Sequence, residues 1–211
     1  GNTVVAKPSE ITPMTAYLLS KICKEINFPK GVLNIIHGRG EKLGDALTTH
    51  QDVPIVSFTG GSDTGKHISK VTAPYFKKLS LELGGKNPNI IFDDCDFDKA
   101  VSTASRAAFT NQGQICLCGS RVFVQNKIYE KFKSALVDKA KKLIVGDPKN
   151  SKSHLGAVVS EEHMNKILLK INEAKKLGGN LLCGGERLIL EGELKNGYYI
   201  EPTILDGLPV D

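Results

Sequence analysis

The sequence contains no stretch of 18 or more apolar residues, and its longest uncharged runs are broken by Lys, Glu or Gly, which excludes a membrane-spanning helix. Cysteine is scarce: five residues at irregular spacing in 211 are too few for a disulfide framework, and the odd count leaves one unpaired. A reducing compartment, the cytoplasm, is expected. A strong charge of one sign is also missing. Lys and Arg number 28 against 23 Asp and Glu, and the surplus divides as +3 over residues 1–83 and +2 over 84–211, which argues against a nucleic-acid-binding face. There are no internal repeats and no low-complexity segments. The opening Gly1-Asn2-Thr3-Val4-Val5-Ala6 lacks both an initiator Met and a basic segment leading into an apolar core, so it reads as strand and not as a signal peptide. A chain that opens inside a strand is expected to be a piece of something longer. What is present, 40% hydrophobic and 24% charged residues, is the composition of an ordinary globular protein with one large domain or two smaller ones.

Short apolar runs alternate with amphipathic segments, the pattern of βαβ units with a parallel sheet. A strand at 4–6 leads to Thr12-Pro13, where Thr as cap and Pro at the first turn announce a helix whose stripe Leu18, Leu19, Ile22, Cys23 and Ile26 shares one face. Strands follow at 32–36 and 55–58, with a helix over 41–49 and another after Thr59-Gly60-Gly61, capped by Ser62 or Asp63. Leu83-Gly84-Gly85-Lys86-Asn87-Pro88 forbids regular structure and marks a domain boundary, giving domains 1–83 and 84–211. Beyond it the pattern predicts strands at 89–92 and 121–125, helices over 96–110, 126–143 and 160–177, and strands near 180–183 and 198–205.

Several segments could carry chemistry. The turn Gly60-Gly61-Ser62-Asp63-Thr64-Gly65-Lys66 opens a helix after a strand, where free backbone N–H groups and the helix dipole favour a phosphate. Its spacing fits a nucleotide-triphosphate loop, except that His67 stands where Ser or Thr must hold magnesium. A looser phosphate site and a plain βα turn stay open. Lys7 and Glu10 lie just past a strand end, where open α/β sheets bind ligands; the carboxylate can accept from both hydroxyls of an adenosine ribose, or it can simply favour the helix dipole. The turn His37-Gly38-Arg39-Gly40 is not the G-x-G-x-x-G dinucleotide fingerprint.

Cys116 sits in an irregular stretch, Asn111-Gln112-Gly113-Gln114-Ile115-Cys116-Leu117-Cys118-Gly119, where a thiol can meet a ligand and, as thiolate, attack a carbonyl carbon. A contribution of Cys116 and Cys118 to a metal site competes, but no second ligand pair sits at the right spacing, and His154 and His163 are isolated. Cys23, Cys95 and Cys183 are expected to be buried and inert. Glu82 ends the strand Leu79-Ser80-Leu81-Glu82-Leu83. It has a partner, or a raised pKa that would make it a general base, or it is a surface residue.

Taken together, Lys7-Pro8-Ser9-Glu10, Phe58-Thr59-Gly60, Leu81-Glu82-Leu83-Gly84-Gly85-Lys86-Asn87-Pro88 and Asn111-Gln112-Gly113-Gln114-Ile115-Cys116 resemble, in this order, the motif series of the NAD(P)-dependent aldehyde dehydrogenase superfamily. The resemblance covers the whole chain. It implies an α/β fold in which a parallel-sheet, Rossmann-like cofactor domain (1–83) precedes an α/β catalytic domain (84–211), both incomplete. Cys116 would be the nucleophile, forming a thiohemiacetal and then a thioester, and Glu82 would activate the hydrolytic water. Lys7 and Glu10 would hold the adenosine ribose, Glu10 favouring NAD because it repels a 2'-phosphate. Gly40, Gly60, Gly61, Ser62 and Leu83 would line the rest of the dinucleotide. Within the superfamily the wording Ser57-Phe58-Thr59-Gly60, Lys77-Lys78-Leu79-Ser80-Leu81-Glu82 and Ile115-Cys116-Leu117-Cys118 is most similar to the branch that oxidises a semialdehyde of tryptophan breakdown and is linked to retinal oxidation. A small-molecule aldehyde is the implied partner, with a homodimer or homotetramer for the whole protein, and neither nucleic acid nor membrane. The alternatives are a coenzyme A-acylating dehydrogenase and a nucleotide-binding module without catalysis. The family's Trp-Asn-Phe-Pro and Glu-Ile-Phe-Gly-Pro segments are not in the sequence, so the 211 residues alone are expected to show little dehydrogenase activity.

Overall fold

Stiff β-branched runs separated by helix-forming stretches leave the chain one economical solution, strands joined by helical crossovers. The computed structural model, which describes residues 1–209, adopts it twice, in units spanning Gly1–Leu83 and Gly84–Asp211.

In the first unit β1 (Val4–Ala6) pairs in parallel with β2 (Leu33–Ile35), and α1 (Met14–Glu25) is the crossover. α2 (Gly40–Thr48) follows and packs against α3 (Ser62–Thr72), the crossover between the parallel strands β3 (Ile55–Gly60) and β4 (Lys78–Leu83). Val56 and Ile68 are buried together with Thr72, whose hydroxyl donates to the Ile68 carbonyl at 2.6 Å and so needs no outside partner. Alternation along β4 turns Leu81 and Leu83 inward and Glu82 outward.

Two local expectations fail here, and one helix face is left uncovered. α1 begins at Met14 with Pro13 in the cap position and no side-chain cap, so Thr12 does not cap it. Gly61 occupies the cap position of α3, and neither Ser62 nor Asp63 caps it through its side chain. The stripe on α1 keeps its spacing, but no residue of the helix is buried; Leu18, Leu19 and Ile22 remain about half exposed. Periodicity determines which residues share a face, whereas burial requires something packed upon it.

In the second unit β5 (Pro88–Ile91) pairs in parallel with β6 (Arg121–Val124) across α4 (Phe97–Phe109). α5 (Tyr129–Lys141) packs on α4, and α6 (Glu161–Lys176) leads to β7 (Asn180–Cys183), which pairs antiparallel with β10 (Ile204–Asp206). The short β8 (Arg187–Leu188) and β9 (Tyr199–Ile200) form a second antiparallel pair. The segment expected as one strand over 198–205 is therefore two strands. Asp96 caps α4 by accepting from Lys99 N at 3.2 Å, and Ser160 caps α6 through His163 N at 3.2 Å.

Ile91, Val101, Ala104, Phe132 and Leu136 form the core, with Phe132 fully enclosed and its ring edge-on to Phe97 at 5.9 Å. Among the described residues no helix is long and apolar enough to cross a membrane. Phe132→Ala is expected to lower the unfolding free energy by about 3–5 kcal/mol, because the cavity cannot collapse between α4, β5 and α5. Denaturant titration measures it, and a loss below about 1 kcal/mol would contradict this core assignment.

Candidate active site

The first unit gathers Lys7, Glu10 and Gly40 at one end of the β1–β2 pair. Lys7 Nζ donates to the carbonyls of Pro8 at 2.8 Å and Gly38 at 3.3 Å and lies 3.4 Å from Glu10 Oε2. The Gly40 N–H, at the start of α2, donates to Glu10 Oε1 at 3.4 Å. Backbone donation from its own N–H first, then from Gly40, and then the Lys7 ammonium hold the Glu10 carboxyl below the ordinary carboxylate range. Glu10 is therefore a fixed, ionised acceptor, half open to solvent, with lone pairs left for a ligand.

At the end of β3, Gly60, Gly61 and Ser62 open α3, whose first N–H groups have no intrahelical partner and face solvent. Register places Gly60 opposite Leu83 and Thr59 opposite Glu82. Gly65 is buried against Leu83, and a Cβ on it would stand 2.7 Å from the leucine methyl, so a larger residue would make that side chain turn aside for the first turn of α3 to rest there. A ligand phosphate at this turn would meet backbone donors and the positive helix end. The triphosphate-loop reading loses ground: His67 is engaged by Asp45 Oδ1 at 2.7 Å, and Lys66 is largely exposed with Asp63 at 4.0 Å. The Glu10 carboxylate suits a pair of ligand hydroxyls, and the α3 start suits a phosphate. Glu82 is exposed at the end of β4, and no ion pair engages it among the described residues.

In the second unit α4 runs into a turn that regular structure cannot supply. Asn111, Gln112 and Gly113 all adopt left-handed backbone, with φ of 51°, 56° and 72°. Such residues cost about 1–3 kcal/mol each where a side chain is present, so the surroundings must hold them. Gln112 does much of this. With its amide oriented to satisfy its neighbours, it accepts from Gly156 N at 2.7 Å and donates to the Asn111 carbonyl at 2.8 Å. Gln114 Oε1 accepts from Val159 N at 3.1 Å.

The nucleophile candidate follows. Asn87 Nδ2 donates to the Cys116 carbonyl at 2.6 Å and to the Cys118 carbonyl at 3.2 Å, clamping the main chain on both sides of Leu117. The result separates two thiols of identical chemistry: Cys116 is exposed and Cys118 buried. Cys183 is buried, which pushes its thiol up, whereas Cys23 and Cys95 are half-buried and so less enclosed than expected. No three His, Cys, Asp or Glu side chains converge as metal ligands among the described residues. Asn87 is the residue that sequence reasoning missed. Its signal lay in the parallel pairing of the strand that begins at Pro88 with the one at Arg121, which sets residue 87 beside residues 118–120.

Comparison with known proteins matches all of residues 1–211 to the aldehyde dehydrogenase family model. The chain is 45% identical to 2-aminomuconic semialdehyde dehydrogenase of Danio rerio over 210 residues, covering 99% of this chain and 43% of that protein. It is 42% identical to betaine aldehyde dehydrogenase of Bacillus subtilis over 211 residues, covering 100% and 43%. Among solved structures, betaine aldehyde dehydrogenase from Staphylococcus aureus in complex with NAD+ superimposes with a TM-score of 0.92 at 45% identity, covering 96% of this chain and 40% of that one. HpcC from Thermus thermophilus gives a TM-score of 0.95 at 38% identity, covering 98% and 41%. The chain thus spans about two fifths of the length of the relatives it matches. A family match running from the first residue to the last, on a backbone that superimposes on those enzymes, leaves one conclusion: this chain belongs to the aldehyde dehydrogenase family.

Proposed function

We propose that the protein containing this chain oxidises an aldehyde to a carboxylic acid with NAD, Gly1–Leu83 contributing to cofactor binding and Gly84–Asp211 carrying the nucleophile. The observation that carries the reading is the turn at residue 116, where strained backbone, two glutamine tethers and the Asn87 clamp present one exposed thiol and bury its neighbour.

The Cys116 thiolate adds to the carbonyl carbon, and the oxygen takes up the electron pair of the C=O bond to give a thiohemiacetal. NAD supplies the acceptor for the hydride that this carbon loses. Collapse of the oxyanion leaves a thioester on Cys116. Glu82, exposed on β4, takes a proton from water as it attacks the thioester carbon, and the C–S bond breaks to release the acid and the thiolate. Hydrolysis by such a base favours free-acid release over acyl transfer to coenzyme A. Glu10 and Lys7 hold the adenosine ribose, Gly60, Gly61 and Ser62 receive the pyrophosphate, and Gly40 and Leu83 line the same ligand. The substrate we propose is 2-aminomuconate semialdehyde or a related aldehyde such as retinal, in a cytoplasmic homodimer or homotetramer; identity to 2-aminomuconic semialdehyde dehydrogenases supports the first choice.

In the full-length protein Cys116→Ser is expected to lower kcat by at least ~10³-fold, and iodoacetamide should label Cys116 ahead of the other four cysteines. Undiminished aldehyde oxidation by the serine variant would end this reading. Glu82→Gln should produce about one equivalent of NADH and then stall as a thioester visible by intact mass, whereas an acylating enzyme given coenzyme A would continue to turn over.

Glu10→Gln should weaken NAD binding by about tenfold, the worth of a charge-assisted hydrogen bond. Because the carboxyl lies below its ordinary range, its contribution is present at neutral pH and is lost only as pH falls through that lowered range. The difference in NAD affinity between wild type and variant, measured by calorimetry, should therefore stay flat from about pH 8 to pH 5.

A further inference from the structure

We infer that a basic groove formed by α4, the end of α5 and the loop at His154 receives an anionic group of the substrate, so that the enzyme selects aldehydes bearing a carboxylate over those bearing a quaternary ammonium. This rests on the reading of Cys116 as the aldehyde-oxidising nucleophile.

The groove has a volume of about 520 Å³, within the range of small-molecule sites. Its apolar lining is Phe109, Leu143 and the buried Leu155, and its cations are Lys99, Arg106 and Lys139. No carboxylate lines it, and none of the three cations enters an ion pair among the described residues. All three are exposed along the groove, and with no carboxylate facing them they leave a local excess of positive charge that an anion would complement.

Helix dipoles account for only part of the arrangement. Arg106 and Lys139 lie in the last turns of α4 and α5, where a cation is favourable, but Lys99 lies in the first turn of α4, where it is not. Two neutral groups also suit an anion. Ile144 N donates to His154 Nδ1 at 3.0 Å, which leaves Nε2 as the hydrogen-bearing nitrogen of that ring. The hydroxyl-bearing Ser105, almost wholly buried, lines the same space. Arg106 offers the planar fork that pairs with a carboxylate in bidentate fashion.

Two chain segments join the groove to the nucleophile turn. α4 continues from Phe109 through Thr110 directly into the left-handed residues before Cys116, and Leu155 is followed by Gly156, the donor to Gln112. An aldehyde anchored by its carboxylate in the groove would be held by the same elements that fix the thiol.

The test uses the full-length protein and three aldehydes: succinate semialdehyde, uncharged butanal and betaine aldehyde. Wild type should favour succinate semialdehyde over betaine aldehyde in kcat/KM by ~10-fold or more, and Arg106→Gln should lower kcat/KM for succinate semialdehyde by ~10- to 100-fold, through KM, while changing butanal by less than ~3-fold. Arg106→Lys should recover part of the loss, and added salt should raise KM for the carboxylated substrate alone. Equal losses on all three aldehydes, or a preference for betaine aldehyde, would overturn the inference. If wild type oxidises none of them, the reading of Cys116 has failed, and titration with succinate then judges the groove separately: binding weakened by ~10-fold or more in Arg106→Gln supports it, and no binding to wild type refutes it.

Discussion

A single side-chain amide divides its two hydrogens between the carbonyls of Cys116 and Cys118, and the arrangement of the second unit around the thiol depends on that division. The left-handed run before it is unfavourable for Asn111 and Gln112 taken alone. It persists because Gln112 and Gln114 fasten it to the segment between α5 and α6 on one side, while Asn87 fastens the following residues to the start of β5 on the other. Reactivity here is first a matter of backbone placement. An unconstrained loop would let either cysteine reach solvent.

The first unit uses a different economy. Its candidate site residues emerge where strands end and helices begin: Lys7 and Glu10 after β1, Gly40 after β2, Gly60 to Ser62 after β3. Few side chains are committed there: what these ends present is backbone N–H groups and one carboxylate held by Gly40 and Lys7. Small residues at these ends allow close approach; Gly65 lets α3 lie on Leu83, which keeps the end of β4 beside the start of the helix.

Much of this was legible in the sequence, for stated reasons. The helices of the second unit lie close to where periodicity put them, and Phe132, Leu136 and Ala140 fall on the buried face of α5, because periodicity is a local property; the caps expected at Thr12 and at Ser62 or Asp63 are not formed. The four motifs identified the family before any contact was known. What escaped depends on partners distant in sequence. β8 has two residues and exists only by pairing with β9, and β10 carries a register shift against β7 between Ile204 and Leu205. The exposure of Cys116 and burial of Cys118 could not be told apart, because side-chain alternation is lost through an irregular turn. Asn87 looked like part of a breaker and proved to be a brace, and Lys139 shares a space with Lys99 and Arg106 only after α4 and α5 pack.

The tether from Gln112 to Gly156 gives the connection between α5 and α6 an influence out of proportion to its distance from the thiol along the chain. A Cβ at 156 would stand 3.0 Å from the Gln112 amide, so a larger residue there would press on the side chain that tethers the left-handed run before Cys116. Exchanges in that connection are therefore a route by which the placement of the exposed thiol can shift while its own neighbours in sequence stay the same.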